Sequence, residues 1–307
     1  MKEFNYEGFK KILRNKQEDL LHYLTNQLSE IYSEENRIID EDFLFFKGDS
    51  PVCLVSHLDT VHKELPDNIL VEEDSGLMWS PQGIGGDDRC GTFAVLYILA
   101  EQLKNNKQKP TILFTTDEEI GCIGASVAAR VIPQEMISHL KFLIEIDRRG
   151  KEDCVFYSTR NKEFEDYIQT FGFVKAYGSC SDISRLSPAW DIASTNVSSG
   201  YFSEHSKSEY INVNYLMNTI NRVINILNDD RVLNGDRFLY QPDPEPETTP
   251  STTKYGRSDY TNKYNRWGSY GSYYDDYWRG ELTIEDEEEY LEKYYGKNWR
   301  DYVGDGK

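Results

Sequence analysis

Two histidines and a series of carboxylates occur in short motifs at the ends of apolar segments or in glycine-rich turns. The motifs are SHLD (56–59), GIGGDDRCG (83–91), TDEEIG (116–121), EIDRRG (145–150) and YFSEHS (201–206). Imidazole and carboxylate groups bind divalent cations, and carboxylates also carry protons in hydrolytic reactions. Taken alone, a motif of this kind is more typical of a structural residue or a solvated turn than of a site. Their succession along one chain indicates metal chemistry.

The first two motifs favour a cation over a phosphate group. His57 and Asp59 are two residues apart, so on an extended segment they share one face and the carboxylate can orient the ring. The glycines of the second motif open a predicted helix, as in a phosphate cradle. However, Asp87 and Asp88 would repel phosphate at that helix N-terminus, whereas adjacent acids in a glycine-rich turn suit a cation.

The complete set contains the ligands that two divalent ions need. Two histidines and three carboxylates match a pair of borderline-hard cations, whose charge offsets the clustered acids. Two ions about 3.5–4 Å apart can share a carboxylate and activate a water molecule. A further carboxylate must then carry the proton of that water. Glu118 and Glu119 are adjacent, so one can bind metal while the other reaches the water.

Residues 1–240 have the pattern of one α/β domain, in which such motifs would lie together. Apolar runs predict strands at 43–46, 51–56, 110–116 and 140–146, and helical spacing predicts helices at 6–32, 91–106 and 214–230. The alternation predicts a three-layer sandwich, with a mostly parallel mixed sheet flanked by helices. Chemistry in such sheets lies at the carboxyl ends of the strands, where these motifs occur.

Residues 241–307 differ in composition from the rest of the chain. They begin with a linker rich in proline, threonine and acids, and they hold half of the 22 tyrosines but no phenylalanine. With so few large aliphatic residues, they cannot form a core of their own. We expect an acidic, tyrosine-rich and largely disordered tail. The alternative is an aromatic segment that orders on a partner or on the chain's own surface.

Composition excludes several classes of protein. The 307 residues carry a formal charge of −19, which opposes binding to nucleic acid or to an anionic membrane. No apolar run is long enough to span a bilayer, and the first residues do not resemble a secretory signal. Five scattered cysteines without a CxxC pair predict free thiols in a reducing, cytoplasmic location. We expect Cys90 and Cys122 to be small packed residues, and we assign no role to His22, His62 and His139.

The order HLD, GGDD, DEE–GxxGA, IEID and EHS resembles the co-catalytic di-zinc exopeptidases over roughly residues 50–230. That group includes the lidless bacterial aminopeptidases, peptidase T and carboxypeptidase G. The resemblance implies Glu118 as general acid/base and Asp59 as the residue behind a histidine ligand. It also implies a cis bond between the bridging ligand Asp87 and Asp88. The implied metal ligands are His57, Asp87, Glu119, Asp147 and His205, which would hold two Zn²⁺ ions, with Mn²⁺ or Co²⁺ as possible substitutes.

The short segment 148–204 leaves no room for the inserted lid domain of some relatives, so the resemblance implies the lidless architecture. It further implies an aminopeptidase for short peptides, with a metal-bridging water activated by Glu118. Arg148 or Arg149 could instead hold the carboxylate of a carboxypeptidase or N-acyl-amino-acid amidohydrolase substrate, although an exposed position or an ion pair is the simpler expectation. Asp182, in an SD pair, is expected near the site. A non-catalytic metal-binding scaffold with a partner-docking tail is the third hypothesis.

Overall fold

The computed structural model describes residues 4–157 and 160–242, so the predicted tail beyond residue 242 lies outside the described residues. The strands are β1 (Arg37–Ile39), β2 (Phe43–Phe46), β3 (Val52–His57), β4 (Leu70–Glu72), β5 (Leu77–Trp79), β6 (Thr111–Thr115), β7 (Phe142–Arg148), β8 (Asp153–Val155), β9 (Val174–Ala176), β10 (Ser194–Ser198), β11 (Tyr201–Phe202) and β12 (Tyr210–Asn212). The helices are α1 (Tyr6–Leu13), α2 (Gln17–Ser29), α3 (Gly86–Lys104), α4 (Ile123–Val131), α5 (Gln134–Ile137), α6 (Lys162–Gln169), α7 (Ile183–Trp190), α8 (Val213–Leu227) and α9 (Asp230–Asn234).

Eight strands form the main sheet in the order β1-β2-β6-β3-β7-β10-β8-β9. The central pairs β6–β3, β3–β7 and β7–β10 are parallel, and β1, β2 and β8 add antiparallel pairs. Every residue of β2, β3, β6 and β10 is buried, as expected for strands covered on both faces. Because β3, β6 and β7 are parallel, their carboxyl ends meet at one edge of the sheet, where the SHLD, TDEEIG and EIDRRG motifs lie.

Helices cover the main sheet in two groups. Helix α3 packs against β3 and β7 with α1 and α8 beside it, while α4 and α7 pack on each other and against strands of the sheet. The predicted three-layer fold with a mixed, mostly parallel sheet is therefore confirmed. The described residues between β7 and β10 form only β8, α6, β9 and α7, and they contain no lid domain. A second, small sheet has the order β11-β12-β5-β4.

The predicted strands at 43–46, 51–56, 110–116 and 140–146 correspond to β2, β3, β6 and β7. The single helix predicted over 6–32 is wrong, because the chain forms α1 and α2 with a break between them. Lys16 is extended there, and the carbonyl of Asn15 accepts a hydrogen bond from the buried Arg89 (Nη2–O 3.1 Å). The apolar period continues across the break because both helices bury one face in the same core.

Within the described residues, no helix combines the length and the apolar character that a membrane crossing requires.

Candidate metal centre

His57 ends β3 and is fully buried among three carboxylates. Its Nδ1 lies 3.0 Å from Asp59 Oδ1, and its Nε2 lies 3.1 Å from Asp87 Oδ1 and 3.4 Å from Asp147 Oδ1. Burial lowers the pKa of His57, but Asp59 and Asp147 outweigh burial and raise that pKa well above its ordinary value. Asp59 thus holds the ring at Nδ1, and Nε2 points at two potential metal ligands, Asp87 and Asp147.

Asp87 lies between the two histidines of the site. Its Oδ1 faces His57, and its Oδ2 lies 3.2 Å from His205 Nε2. The Asp87–Asp88 peptide bond is cis, and both residues depart from helical dihedral angles at the start of α3. A Cβ atom at Gly91 would lie 2.3 Å from the carbonyl oxygen of Ile146, so glycine allows α3 to approach β7 closely. A carboxylate in this position can bridge two ions.

Glu119 and His205 form the second side of the site. His205 Nε2 lies 2.9 Å from Glu119 Oε2, and these contacts with Glu119 and Asp87 raise the pKa of His205 to about 11. The His205 side chain is 51% exposed, and its residue adopts a positive φ of 58° in the loop after β11. This side of the site therefore rests on loops, although Glu119 itself is largely buried.

Asp59 fixes the segment that carries Glu118. Its Oδ1 accepts the backbone N–H of Glu118 and its Oδ2 accepts that of Glu119, both at 3.0 Å. Burial, reinforced by Asp182 and Glu119, raises the pKa of Glu118 to about 8 in the metal-free protein. One carboxylate therefore orients both the ring of His57 and the two glutamates. A carboxyl with a raised pKa is suited to taking up and releasing a proton near neutral pH.

Asp147, in β7, forms three hydrogen bonds, two with Asn196 of the neighbouring β10 and one with Tyr201 of β11. Its carboxylate Oδ2 accepts from Asn196 Nδ2 (3.2 Å), its backbone N–H donates to Asn196 Oδ1 (3.0 Å), and its carbonyl accepts from the Tyr201 hydroxyl (2.5 Å). Burial and the charges of Asp87 and Asp88 raise the pKa of Asp147 well above its ordinary value. A nearby cation would remove the cost of this clustering.

Glu209 supports the site and is a residue that sequence analysis missed. It is buried, and its Oε2 and Oε1 accept the backbone N–H groups of Gly85 and Asp87, each at 3.0 Å. His62, to which no role is assigned above, lies 2.7 Å from Glu209 Oε2 through its Nε2. The only signal in the sequence is an acid shortly after His205. Its partners are more than a hundred residues away, so spacing does not reveal them.

Arg89 is a second supporting residue outside the predicted set. The fully buried guanidinium donates to the carbonyl of Leu58 and, at 2.7 Å, to the carbonyl of Asp59. Burial lowers the pKa of Arg89 to about 10, against the opposing effect of the nearby acids. It thus fixes the loop that carries Asp59 and supplies a positive charge beneath the carboxylates.

The remaining predicted residues lie near the site in different environments. Asp182 is fully buried and accepts from the Thr115 hydroxyl at the end of β6. Arg149 forms an ion pair with Glu204, and Arg148 donates to the carbonyl of Tyr177 (3.2 Å). Arg148 Nε also lies 3.8 Å from Asp153 Oδ2, so the ion-pair expectation describes both arginines.

The five cysteines are free thiols, and only Cys180 is exposed. Cys90 is packed in the core, as expected. Cys122 is also buried, but its Sγ lies 3.6 Å from Glu118 Oε1, so it contacts the site.

The donor set fits divalent cations. Ligand atoms of His57, Asp87 and Glu119 lie within 4.8 Å of one another, and so do those of His57, Asp88 and Asp147. The mixture of imidazole and carboxylate suits zinc and related ions. The structure thus brings all five predicted ligands together, and Asp88 lies within the same cluster. Their role as ligands stays a prediction.

Comparison with known proteins shows which families and folds the chain resembles. Residues 45–185 match the profile of peptidase family M28. The aminopeptidase PepT from Bacillus cereus superposes with a TM-score of 0.56 at 14% identity, over 72% of this chain and 96% of that one. A tripeptidase from Staphylococcus aureus superposes with a TM-score of 0.55 at 14% identity, over 72% of this chain and 96% of that one. A TET aminopeptidase from a marine sediment archaeon (Thaumarchaeota) superposes with a TM-score of 0.58 at 12% identity, over 74% of this chain and 98% of that one.

These matches define a zinc-exopeptidase fold. Identities of this size establish the fold, and the M28 match supplies the sequence signature of a peptidase. The predicted resemblance to the co-catalytic zinc exopeptidases is confirmed, through a peptidase profile over residues 45–185 and a shared fold, and it supports a metal-dependent exopeptidase. None of the curated proteins compared with the chain matches its sequence.

Proposed function

We propose that this chain is a di-metal aminopeptidase that removes residues from the free N-terminus of short peptides. The observation that carries the proposal is Asp87, whose two oxygens lie 3.1 and 3.2 Å from the two histidines of the site. A carboxylate shared in this way is what two adjacent divalent ions require. Residues 1–240 would form the catalytic domain, and zinc is the proposed metal, with manganese or cobalt as possible substitutes.

The chain's own residues would divide the work as follows. His57 and Asp147 would hold one ion, Glu119 and His205 the other, and Asp87 both. Bound divalent ions would polarise the scissile carbonyl and make water a nucleophile at neutral pH.

Glu118 would take the proton of the attacking water and deliver it to the leaving amine. Glu118 suits this role because it is buried, its pKa is raised, and its backbone N–H donates a hydrogen bond to Asp59.

An acidic site favours substrates with a free α-ammonium group. The carboxylates of this cluster attract a positive charge. The two arginines considered for binding a substrate carboxylate are already engaged, Arg149 with Glu204 and Arg148 with the Tyr177 carbonyl. The names of the similar structures, aminopeptidase and tripeptidase, also support a short peptide with a free N-terminus. The carboxypeptidase and N-acyl-amino-acid alternatives receive no such support.

The test compares an amino-acid p-nitroanilide with the N-blocked form of the same compound. We expect cleavage of the free form only, loss of activity with a chelator, and recovery when Zn²⁺ is restored. Preferential cleavage of the blocked form would contradict the aminopeptidase proposal. Metal binding without cleavage of a peptide library would favour the non-catalytic scaffold instead.

The Glu118→Gln variant tests the proton carrier. It should retain its metal and its fold but lose roughly 10²–10⁴-fold in turnover, the usual contribution of a general acid–base group. Asp117→Asn is the matched control, because Asp117 is the neighbouring carboxylate and its described side-chain contact is with Gln17 (3.1 Å). Wild-type turnover in Glu118→Gln would exclude the proposed role.

A further inference from the structure

A second group of potential metal ligands lies on the other side of Glu118. Ligand atoms of Glu118, Cys122 and Asp182 lie within 4.8 Å of one another. Cys122 precedes α4 and Asp182 precedes α7, so two packed helices bring the thiol and the carboxylate together. Cys180 is exposed, and its Sγ lies 4.0 Å from that of Cys122. The group therefore combines two thiols with two carboxylates and is open to solvent at one end.

Asp182 has an unsatisfied oxygen within this group. The side chain is fully buried, and the Thr115 hydroxyl donates to its Oδ2. No group in the described residues hydrogen-bonds its Oδ1. A buried carboxylate oxygen without a partner is costly, and the neighbouring acids increase the cost. A cation coordinated by this carboxylate would remove both contributions.

We propose that Glu118, Cys122 and Asp182, with Cys180 at the solvent side, form a third metal site for a thiophilic divalent cation such as Zn²⁺. Occupation of this site would inhibit the enzyme. The inhibitory part of the proposal rests on the proposed function, in which Glu118 carries the proton. The binding part does not depend on it.

The distances suit a tetrahedral ion. Two ligands at about 2.2–2.3 Å from a tetrahedral zinc ion lie roughly 3.6–3.8 Å apart. Cys122 Sγ lies 3.6 Å from Glu118 Oε1 and 4.0 Å from Cys180 Sγ. Shifts of a few tenths of an ångström would therefore complete the coordination.

The thiols give this site a different selectivity from the di-metal centre. Thiolate ligands select zinc and softer ions, whereas the predicted ligands of the di-metal centre are imidazoles and carboxylates, which also accept manganese. Coordination of the Glu118 carboxylate would occupy the lone pair that accepts the proton of water. Excess Zn²⁺ should therefore inhibit, while excess Mn²⁺ should not.

The binding test is a Co²⁺ titration of the chelated, full-length protein. Cobalt bound to a thiolate shows near-ultraviolet charge-transfer absorption, which imidazole and carboxylate ligands do not produce. We expect this absorption to appear as the third equivalent binds. It should be weaker in Cys122→Ala, which leaves only the Cys180 thiolate, and in Asp182→Asn. Cys90→Ala, which removes the thiol of the GGDD helix, is the control and should retain it.

The outcomes separate this site from the proposed function. Two results with the wild-type protein alone would overturn the proposal. One is binding of only two ions without thiolate absorption, and the other is binding of a third ion without that absorption. Neither result depends on whether the variants fold. In the activity assay, Cys122→Ala should raise the Zn²⁺ concentration that gives half-inhibition by at least roughly 10–100-fold. Loss of a residue that only hydrogen-bonds to a metal ligand already lowers metal affinity by this factor, and Cys122 would be a ligand itself. Equal inhibition of wild type and variant would overturn the inhibitory role.

Discussion

The two sides of the metal centre are built in different ways. The buried half consists of His57 and Asp147, which lie on adjacent central strands and have support from Asp59 and Asn196. The exposed half consists of Glu119 and His205, which lie on loops, and the His205 side chain is 51% exposed. Asp87 belongs to both halves.

The difference concerns preorganisation. In the buried half, rotamers and hydrogen bonds fix the ligands before any ion binds, so little ordering is required on binding. In the exposed half, a ligand on a loop must be ordered, and water competes for its position. We therefore expect the buried half to bind its ion more tightly and the exposed half to exchange its ion.

The strongest way to break this comparison is to remove one histidine at a time. His205→Ala should retain one ion per chain after dialysis, whereas His57→Ala should lose the buried ion as well and become less stable by about 1–3 kcal/mol, because buried carboxylates lose their partner. Elemental analysis and thermal unfolding measure the two effects. Loss of more metal from His205→Ala than from His57→Ala would reverse the order proposed for the two halves.

A smaller effect is expected for Asp59→Asn. Asparagine keeps the size of the side chain but removes the negative charge that orients His57. It also removes one of the two oxygens that accept the backbone N–H groups of Glu118 and Glu119. Metal affinity or turnover should fall roughly 10–100-fold. Competitive chelation and steady-state kinetics measure these losses, with Asp117→Asn as the control. If Asp59→Asn matched the control, the buried half would not owe its order to this carboxylate.

Glu209→Gln tests the support of the shared ligand. The variant retains one acceptor but places an NH₂ group against a backbone N–H of Gly85 or Asp87. We expect a loss of about 1–3 kcal/mol in the free energy of unfolding, measured by denaturant titration. Both halves should lose metal together, because Asp87 serves both. Loss confined to one ion would show that the halves are more independent than this geometry implies.

The pH dependence of stability should distinguish metal-free from metal-loaded protein. Folding raises the pKa of Glu118 from 4.5 to about 8 and that of Asp182 from 3.8 to about 7. The pKa of His205 rises from 6.5 to about 11. Between the unfolded and folded pKa of each group, the folded protein binds more protons than the unfolded chain. Stability is therefore lost as pH rises, through about 4–8 for the two carboxyls and about 6.5–11 for His205.

Thermal unfolding measures this effect. A shift of one pKa unit corresponds to about 1.4 kcal/mol, or roughly 3–6 °C in Tm for a domain of this size. The Tm of chelated protein should fall by at least that amount from about pH 5.5 to 8, and less in the metal-loaded protein, where cations replace the protons. The same fall in both forms would show that the ions do not occupy this cluster.

Much of the fold follows from local pattern. Apolar runs such as 43–46 and 140–146 are long enough to predict buried strands, and the motifs after β3, β6 and β7 had to meet once those strands were parallel. The predicted residues at or after the ends of these strands lie together for this reason, whereas Asp87 and His205 reach the same cluster from the start of α3 and the loop after β11. Carboxylates at strand ends are informative because several of them occur in order.

Long-range and backbone-mediated features could not be predicted in this way. The short strands β4, β5, β11 and β12 have only two or three residues each, which carry too little pattern, and the β12–β5 pair joins strands distant in sequence. The break at Lys16 is invisible to helical periodicity. Glu209 and Arg89 bind backbone groups, whose positions depend on the complete fold and not on any residue type.

Arg89 has a consequence for engineering the chain. Its guanidinium joins the turn at Asn15 to the carbonyls of Leu58 and Asp59, so the first helices are tied to the loop behind the metal centre. Trimming the chain to residue 17 would leave a donor of a buried cation without its acceptor. Helix α1 and the turn at Asn15 therefore cannot be removed without disturbing the loop at Asp59. Shortened versions should be judged by metal retention as well as by yield.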